Sequence, residues 1–213
     1  MFKKIYLSPF GRIASAVQNM LAALHRPFMV YGYRRRSDGK FLKLTRISST
    51  AVILEPKKLE IADNVWVWHH SIIDASNGIS IGRGCQVGAW VGIFTHGSHL
   101  AIRLLGGNYI NLERSSRVGY QRGPVEIGEY TFIGAQSLIL PGVKIGRGCL
   151  IAAGSIVTKS LPDFSVASGN PAEVVGDTRR LDRKYFSDPF VQKHYFAQDV
   201  MREYLDQRTE PAP

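Results

Sequence analysis

The sequence predicts an all-β core, a parallel β-helix built from six-residue repeats, with a helical segment at each end and one long excursion loop. Three observations carry this prediction. The pentapeptide Ile-Gly-Arg-Gly-Cys occurs at 81–85 and again at 145–149. From Ile127 onward, aliphatic residues recur every six positions, at Ile127, Ile133, Ile139, Ile145, Ile151 and Val157. Two positions before each stands a mostly small residue: Val125, Thr131, Ser137, Val143, Cys149 and Ser155. Neither an α-helix nor a simple strand has this period; a chain that turns a corner every six residues, its aliphatic pointing inward, does. Three such faces make one coil, so that Ile127-Gly128 returns as Ile145-Gly146.

The chain divides into three parts: a basic N-terminal segment, 1–46; the β-helix, 47–176, interrupted by an excursion at 95–124; and a helical extension, 177–213. In the first part, residues 8–25 read as an amphipathic helix. Ser8 can cap it, Pro9 suits its first turn, and Phe10, Ile13, Val17, Met20, Leu21 and Leu24 share one face. That face suits packing on the β-helix end or a neighbouring subunit, or lying on a membrane with Arg34–Arg36 on lipid phosphates. Phe28 to Tyr33 reads as a strand and Ser37-Asp38-Gly39 as a turn.

The coils start near Ile47 or Ile53, are regular at Ile61, Val67 and Ile73, slip by two residues at Asp74–Gly78, and resume at Ile81, Val87 and Ile93. Residues 95–124 lose the six-fold phase, and Tyr109 and Tyr120 suit an ordered loop packed against a neighbour. The coil closes after Val157 through Leu161-Pro162 and Gly169-Asn170-Pro171. Beyond it, Leu181, Tyr185, Phe186, Phe190, Val191, Tyr195, Phe196, Val200 and Tyr204 form a helical aromatic stripe broken at Asp188-Pro189, with a frayed tail from Arg208.

Composition narrows the partners. The 213 residues are 45% hydrophobic and 21% charged, ordinary for a globular chain with one domain and appendages. Of the formal net charge of +10, +7 falls in residues 1–40, where Lys3, Lys4, Arg12, Arg26, Arg34, Arg35, Arg36 and Lys40 face Asp38 alone. This is a local basic surface suited to an anionic membrane or an acidic substrate. Aromatic and basic residues interleave only at 28–36, which argues against nucleic acid. Cys85 and Cys149 share one phase of the repeat and read as buried space-fillers in a reduced cytosolic compartment. Ile13 to Leu24 is too short to span a bilayer and lacks the pattern of a secretory signal.

Chemistry concentrates at the mouth of the excursion, Thr95-His96-Gly97-Ser98-His99. A neutral imidazole held by a stiff wall is a suitable general base near neutral pH, and spacing alone does not choose between His96 and His99. His69-His70 is weaker, since alternation puts the two on opposite faces. A zinc site from one of them with His96 and His99 is the competing reading; no metal is expected.

The closing segment, Ala152-Ala153-Gly154-Ser155-Ile156-Val157-Thr158-Lys159 followed by Val166-Ala167-Ser168-Gly169-Asn170-Pro171-Ala172, resembles the last coil of the hexapeptide-repeat acyltransferases. These are trimeric left-handed β-helix enzymes that include maltose, galactoside and xenobiotic O-acetyltransferases. The resemblance covers about residues 47–176 and implies a left-handed coil, a homotrimer and acetyl-CoA as co-substrate. It implies backbone contacts from Ala153 to the pantetheine arm, Thr158 and Lys159 beside the cofactor phosphates, and cofactor contact at Ala135. Phe132 stands where many members carry Trp. Arg179 and Arg180 would reach the adenosine phosphate. Counted from Ile81, His99 stands one residue beyond the family's usual catalytic place and His96 two before it, which favours His99 slightly and keeps both.

The loop is longer than in the maltose-type members, with Ala101 to Leu105 and the stretch to Asn111 added, so no small-sugar acceptor carries over. The expected activity is O-acetylation of a saccharide hydroxyl, in surface polysaccharide synthesis, by direct transfer without a cysteine nucleophile. The basic residues of 1–40 suit a lipid-linked or anionic acceptor, met from the cytoplasm at the inner membrane face. The alternatives are N-acetylation of a nucleotide-linked amino sugar, a metal-binding carbonic anhydrase-like trimer, and a catalytically silent trimeric scaffold.

Overall fold

The computed structural model describes residues 8–24 and 26–209. Three parallel sheets form the walls of the coil. On the first face, Ile47, Val67, Val87, Ile133, Ile151 and Ala167 stack in register. On the second, Ile53, Ile73, Ile93, Ile139 and Val157 do so. On the third the ladder is Ile61, Ile81, Ile127 and Ile145, continued by a bridge to Leu161. The six aliphatics from Ile127 to Val157 are all at most 3% exposed, as the six-residue period requires. Their small companions are buried with them, and the hydroxyls among these are satisfied by carbonyls: Thr131 by Gly146 at 2.8 Å, Ser137 and Ser155 by Ala152 at 3.1 and 2.7 Å.

The repeated pentapeptide serves the corner between the third and first faces. Its second glycine adopts a left-handed φ, 75° at Gly84 and 62° at Gly148, which a residue without Cβ adopts at no steric cost. Its first glycine admits the next rung: a Cβ on Gly82 would stand 2.5 Å from the Glu129 nitrogen. The same left-handed corner position is filled by Asn64, Tyr130 and Phe164 in the other rungs.

Rung length varies at the corner between the second and third faces. Ile53 to Ile61 and Ile73 to Ile81 are two residues longer than the six-residue spacing, so the slip at Asp74–Gly78 is the second of two long corners. The third visit to this corner carries the excursion. It leaves after Gly92–Phe94 and returns at Val125–Ile127. Its neck is stapled by an antiparallel pair, His96 with Arg122 and Gly97 with Gln121, and the loop holds short helical turns where the sequence shows no period.

The appendages follow their local signals. Helix α1 spans Pro9–Leu24. A hairpin of Met29–Arg34 and Phe41–Ser48 then leads into the first rung. Within the basic run, the Arg34 guanidinium donates to the Gly39 carbonyl, and Arg35 binds Asp38 and the Ile61 carbonyl. These two arginines therefore hold the hairpin together, in contrast to the expectation of a run free to meet phosphates. The apolar face of α1 does not pack on the coil: Phe10 is 80% exposed and Met20 63%. Lys3 and Lys4 lie outside the described residues, as do Glu210 to Pro213 of the tail.

Helix α2, Ala101–Leu105, belongs to the excursion. The C-terminal extension comprises α3, Thr178–Asp182, α4, Pro189–His194, and α5, Gln198–Thr209. Asp188 caps α4 through the amides of Phe190 and Val191. A second break follows at Tyr195 and Phe196, whose rings turn onto Phe186 and Tyr130 respectively.

Candidate active site

The long corner and the excursion meet at one point. Asp74 ends its strand directly beneath Phe94 and is 1% exposed. Its Oδ1 accepts from the amide and hydroxyl of Ser76, at 3.1 and 2.5 Å. Its Oδ2 stands 2.6 Å from His96 Nδ1. Neither atom makes a hydrogen bond among the described residues, so this is a close approach of a buried carboxylate to an imidazole without hydrogen-bond alignment.

Thr95, fully buried, fixes the arrangement from beneath. Its hydroxyl donates to the Asp74 carbonyl at 2.8 Å and accepts from the Asn77 amide at 3.0 Å, while the Asn77 side chain donates to the Thr95 carbonyl. The His96 ring is stacked parallel to Tyr120 with centroids 5.8 Å apart.

One recess opens on this histidine and a second lies on the other side of Tyr120. The first, of about 190 Å³, is lined by Ser76, Asn77, His96 and Tyr120 together with Lys58, Arg114 and Arg122. The other, an open cleft of about 640 Å³, is lined by His99, Gln121, Leu140, Pro141 and Thr158. Tyr120 and Arg122 belong to both and form the wall between them. His99 is exposed; its carbonyl accepts from Arg103 at 2.7 Å.

The residues singled out in the sequence are thus partly assembled. His99 and Thr158 share the cleft, and Lys159 follows Thr158 on the exposed surface. Ala135 and Ala153 sit at the corner between the first and second faces, across the second face from Thr158. Phe132 projects from the first face between Gln86 and Leu150 and is 44% exposed. Arg179 is held by Asp177, and Arg180 is exposed beside it.

Asp74 was missed in the sequence reading; the two-residue slip that begins at this acidic residue was its visible trace. His69 and His70 belong to a different corner: His69 Nδ1 is 2.7 Å from the Ser48 hydroxyl and His70 stacks on Trp90. Among the described residues, no three His, Cys, Asp or Glu side chains are placed to share a metal ion. Burial pushes the Cys85 thiol up to about 12 and raises that of Cys149, and both thiols donate to carbonyls. Neither is a thiolate nucleophile at neutral pH.

Coil, corner and histidine loop define a parallel β-helix of hexapeptide repeats with a polar cleft at one corner. Residues 124–159 match the family described as bacterial transferase hexapeptide (six repeats). A Staphylococcus aureus (strain Mu50) protein named "putative acetyltransferase" is 49% identical over 65 residues, 30% of this chain and 31% of its own length. This chain therefore spans about a third of that curated relative. A galactoside acetyltransferase solved in complex with coenzyme A is 27% identical with a TM-score of 0.54, covering 62% of each chain. A maltose O-acetyltransferase from Clostridium difficile 630 is 28% identical with a TM-score of 0.51, over 61% of this chain and 64% of that one.

Proposed function

We propose that this chain transfers an acetyl group from acetyl-CoA to a hydroxyl of a saccharide, with His96 as general base. The observation that carries the reading is the Asp74–His96 pair, set where a small recess and a large cleft share the wall of Tyr120 and Arg122. The acceptor occupies the recess and the thioester end of acetyl-CoA the cleft. His96 Nε2 takes the hydroxyl proton as the oxygen attacks the thioester carbonyl; the C–S bond then breaks and the sulfur leaves with that proton. Buried Asp74, close to the ring, stabilises the imidazolium between the two steps. The sequence spacing leans towards His99; the buried carboxylate near its ring favours His96 in this reading, with His99 lining the cofactor cleft.

Thr158 and Lys159 lie at the cleft end suited to cofactor phosphates, and the small side chains of Ala135 and Ala153 permit close approach of the pantetheine arm at the next corner. Exposed Arg180 is available to the adenosine phosphate, whereas Arg179 is occupied by Asp177. Between these corners the second face turns an aliphatic ladder outward, Val52 at 48% and Ile72 at 39% exposure above Leu138 and Ile156. Apolar walls of this kind call for a cover, and a left-handed homotrimer with the cofactor between neighbouring copies supplies one. The likeness to the galactoside and maltose enzymes supports acetyl-CoA and a sugar acceptor. A role in surface polysaccharide synthesis at the cytoplasmic membrane face, met by the apolar side of α1, completes the proposal.

Calorimetric titration with acetyl-CoA, followed by thiol release against a panel of neutral, amino and acidic saccharides, tests it. Binding with acceptor-dependent release is expected. Absence of both removes the proposal.

A further inference from the structure

The recess beside His96 carries an uncompensated positive charge. Three cations line it, Lys58, Arg114 and Arg122. Among the described residues none of the three has a carboxylate partner. Instead Lys58 Nζ donates to the Ser76 carbonyl at 2.9 Å, and Arg122 Nη2 to the Arg114 carbonyl at 2.5 Å. Backbone carbonyls hold these two side chains in place without neutralising them. Glu60, which neighbours Lys58 on the adjoining surface, is taken up by Arg35 at 3.5 Å. Asp74 is buried behind His96, 2.6 Å from its ring.

Elsewhere on the coil, Lys144 and Arg147 have carboxylate partners, Glu126 at 3.2 Å and Asp199 at 2.8 Å. Positive charge is left unmatched at the mouth of the recess, where a like-charged cluster costs energy until an anion arrives.

We propose that the acceptor is an anionic saccharide, bearing a carboxylate or phosphate oxyanion that Arg114, Arg122 and Lys58 bind while the reacting hydroxyl faces His96. Two guanidinium forks and an ammonium suit an oxyanion with several acceptor atoms, and each charge-assisted bond discriminates against a neutral analogue. The Asn77 amide and Ser76 hydroxyl line the same recess and suit the sugar's remaining hydroxyls. This inference names the substrate class of the site and rests on the acetyl-transfer reading only for the fate of the hydroxyl, since oxyanion binding itself needs no cofactor.

The test is calorimetric binding of glucuronic acid, glucose 6-phosphate and glucose to the full chain without acetyl-CoA, for wild type and an Arg114→Gln/Arg122→Gln double variant whose melting curve is compared first. Wild type is expected to bind at least one charged sugar tenfold or more tightly than glucose. The preference should collapse in the double variant and weaken with added salt. Uronate preferred over phosphate, or the reverse, identifies which oxyanion is read. Equal binding of charged and neutral sugars, no binding of either charged sugar at millimolar concentration, or a preference that survives in the folded double variant overturns the inference. Acetyl-CoA is titrated separately. If it binds while the charge preference is absent, only this inference falls; if charged sugars are preferred while acetyl-CoA does not bind, the acetyl-transfer reading falls and the anion site stands.

Discussion

His96 Nδ1 stands 2.6 Å from Oδ2 of Asp74, a carboxylate 1% exposed and contributed by the rung beneath. A buried carboxylate in that position does for an imidazole what distance alone cannot. It sets a negative charge against the ring, where it stabilises the imidazolium that forms when the acceptor's proton arrives. Asp74→Asn keeps the shape and removes the charge. The expected result is a fall in kcat/KM of roughly a hundredfold or more. Full activity would show that Asp74 acts only as a strut.

The rungs make a separate prediction. A methyl group on Gly82 would meet the Glu129 backbone at 2.5 Å, whereas one on Gly107 in the excursion meets nothing within 4 Å. Gly82→Ala is therefore expected to cost about 1–3 kcal/mol through backbone displacement, and Gly107→Ala to leave the melting temperature nearly unchanged. Thermal unfolding of the two variants side by side checks this.

The C-terminal extension is held partly by carboxylates that titrate. A side-chain hydrogen bond from Arg179 holds the Asp177 carboxyl below its ordinary value, and one from Arg147 does the same for Asp199. Groups lowered in the folded state contribute fully above their unfolded value, about 4, and lose that contribution as pH falls through the folded one. Asp182, raised by burial beside the Tyr195 hydroxyl, works in the opposite sense and offsets part of the loss. Protection factors for amide exchange in residues 178–209, corrected for the intrinsic pH dependence, are expected to fall below about pH 4 ahead of those of the coil. Protection that stays constant to about pH 3 would show that the aromatic contacts alone hold the segment.

Helix α1 presents Phe10, Ile13, Val17 and Met20 to solvent, and the proposal sets this face on anionic lipid. Co-sedimentation with phosphatidylglycerol vesicles is expected for wild type and not for an Ile13→Asp/Met20→Asp variant. Equal recovery of both in the supernatant removes the membrane contact and leaves the face to a neighbouring subunit.

Much of this molecule was legible before its coordinates, for reasons that particular residues make plain. Ile127 to Val157 announce the coil because a three-faced wall admits one inward aliphatic per side, and no other regular structure repeats at six. Asp188-Pro189 shows where α4 begins because a capping carboxylate and a residue lacking an N–H both belong there. The break at Tyr195 and Phe196 stayed hidden, since the stripe continues through it and only stacking on Phe186 and Tyr130 turns the chain.

The Asp74–His96 pair stayed hidden for a related reason. Asp74 and His96 are neighbours only because successive rungs stack, and no local pattern encodes contact across a rung. Arg34 and Arg35 looked like a free basic patch; the carbonyls that bind them become neighbours only once the hairpin closes and the first coil packs beside it.

The most direct test compares thiol release from acetyl-CoA, with an acceptor found in the saccharide panel, for wild type, His96→Ala and His99→Ala. The account predicts a loss of about 10²–10⁴ in kcat/KM for His96→Ala, with acetyl-CoA affinity retained, and at most a few-fold change in kcat/KM for His99→Ala. Activity that survives in His96→Ala and disappears in His99→Ala would contradict the assignment of the base. Activity that survives in both would contradict general-base catalysis at this corner altogether.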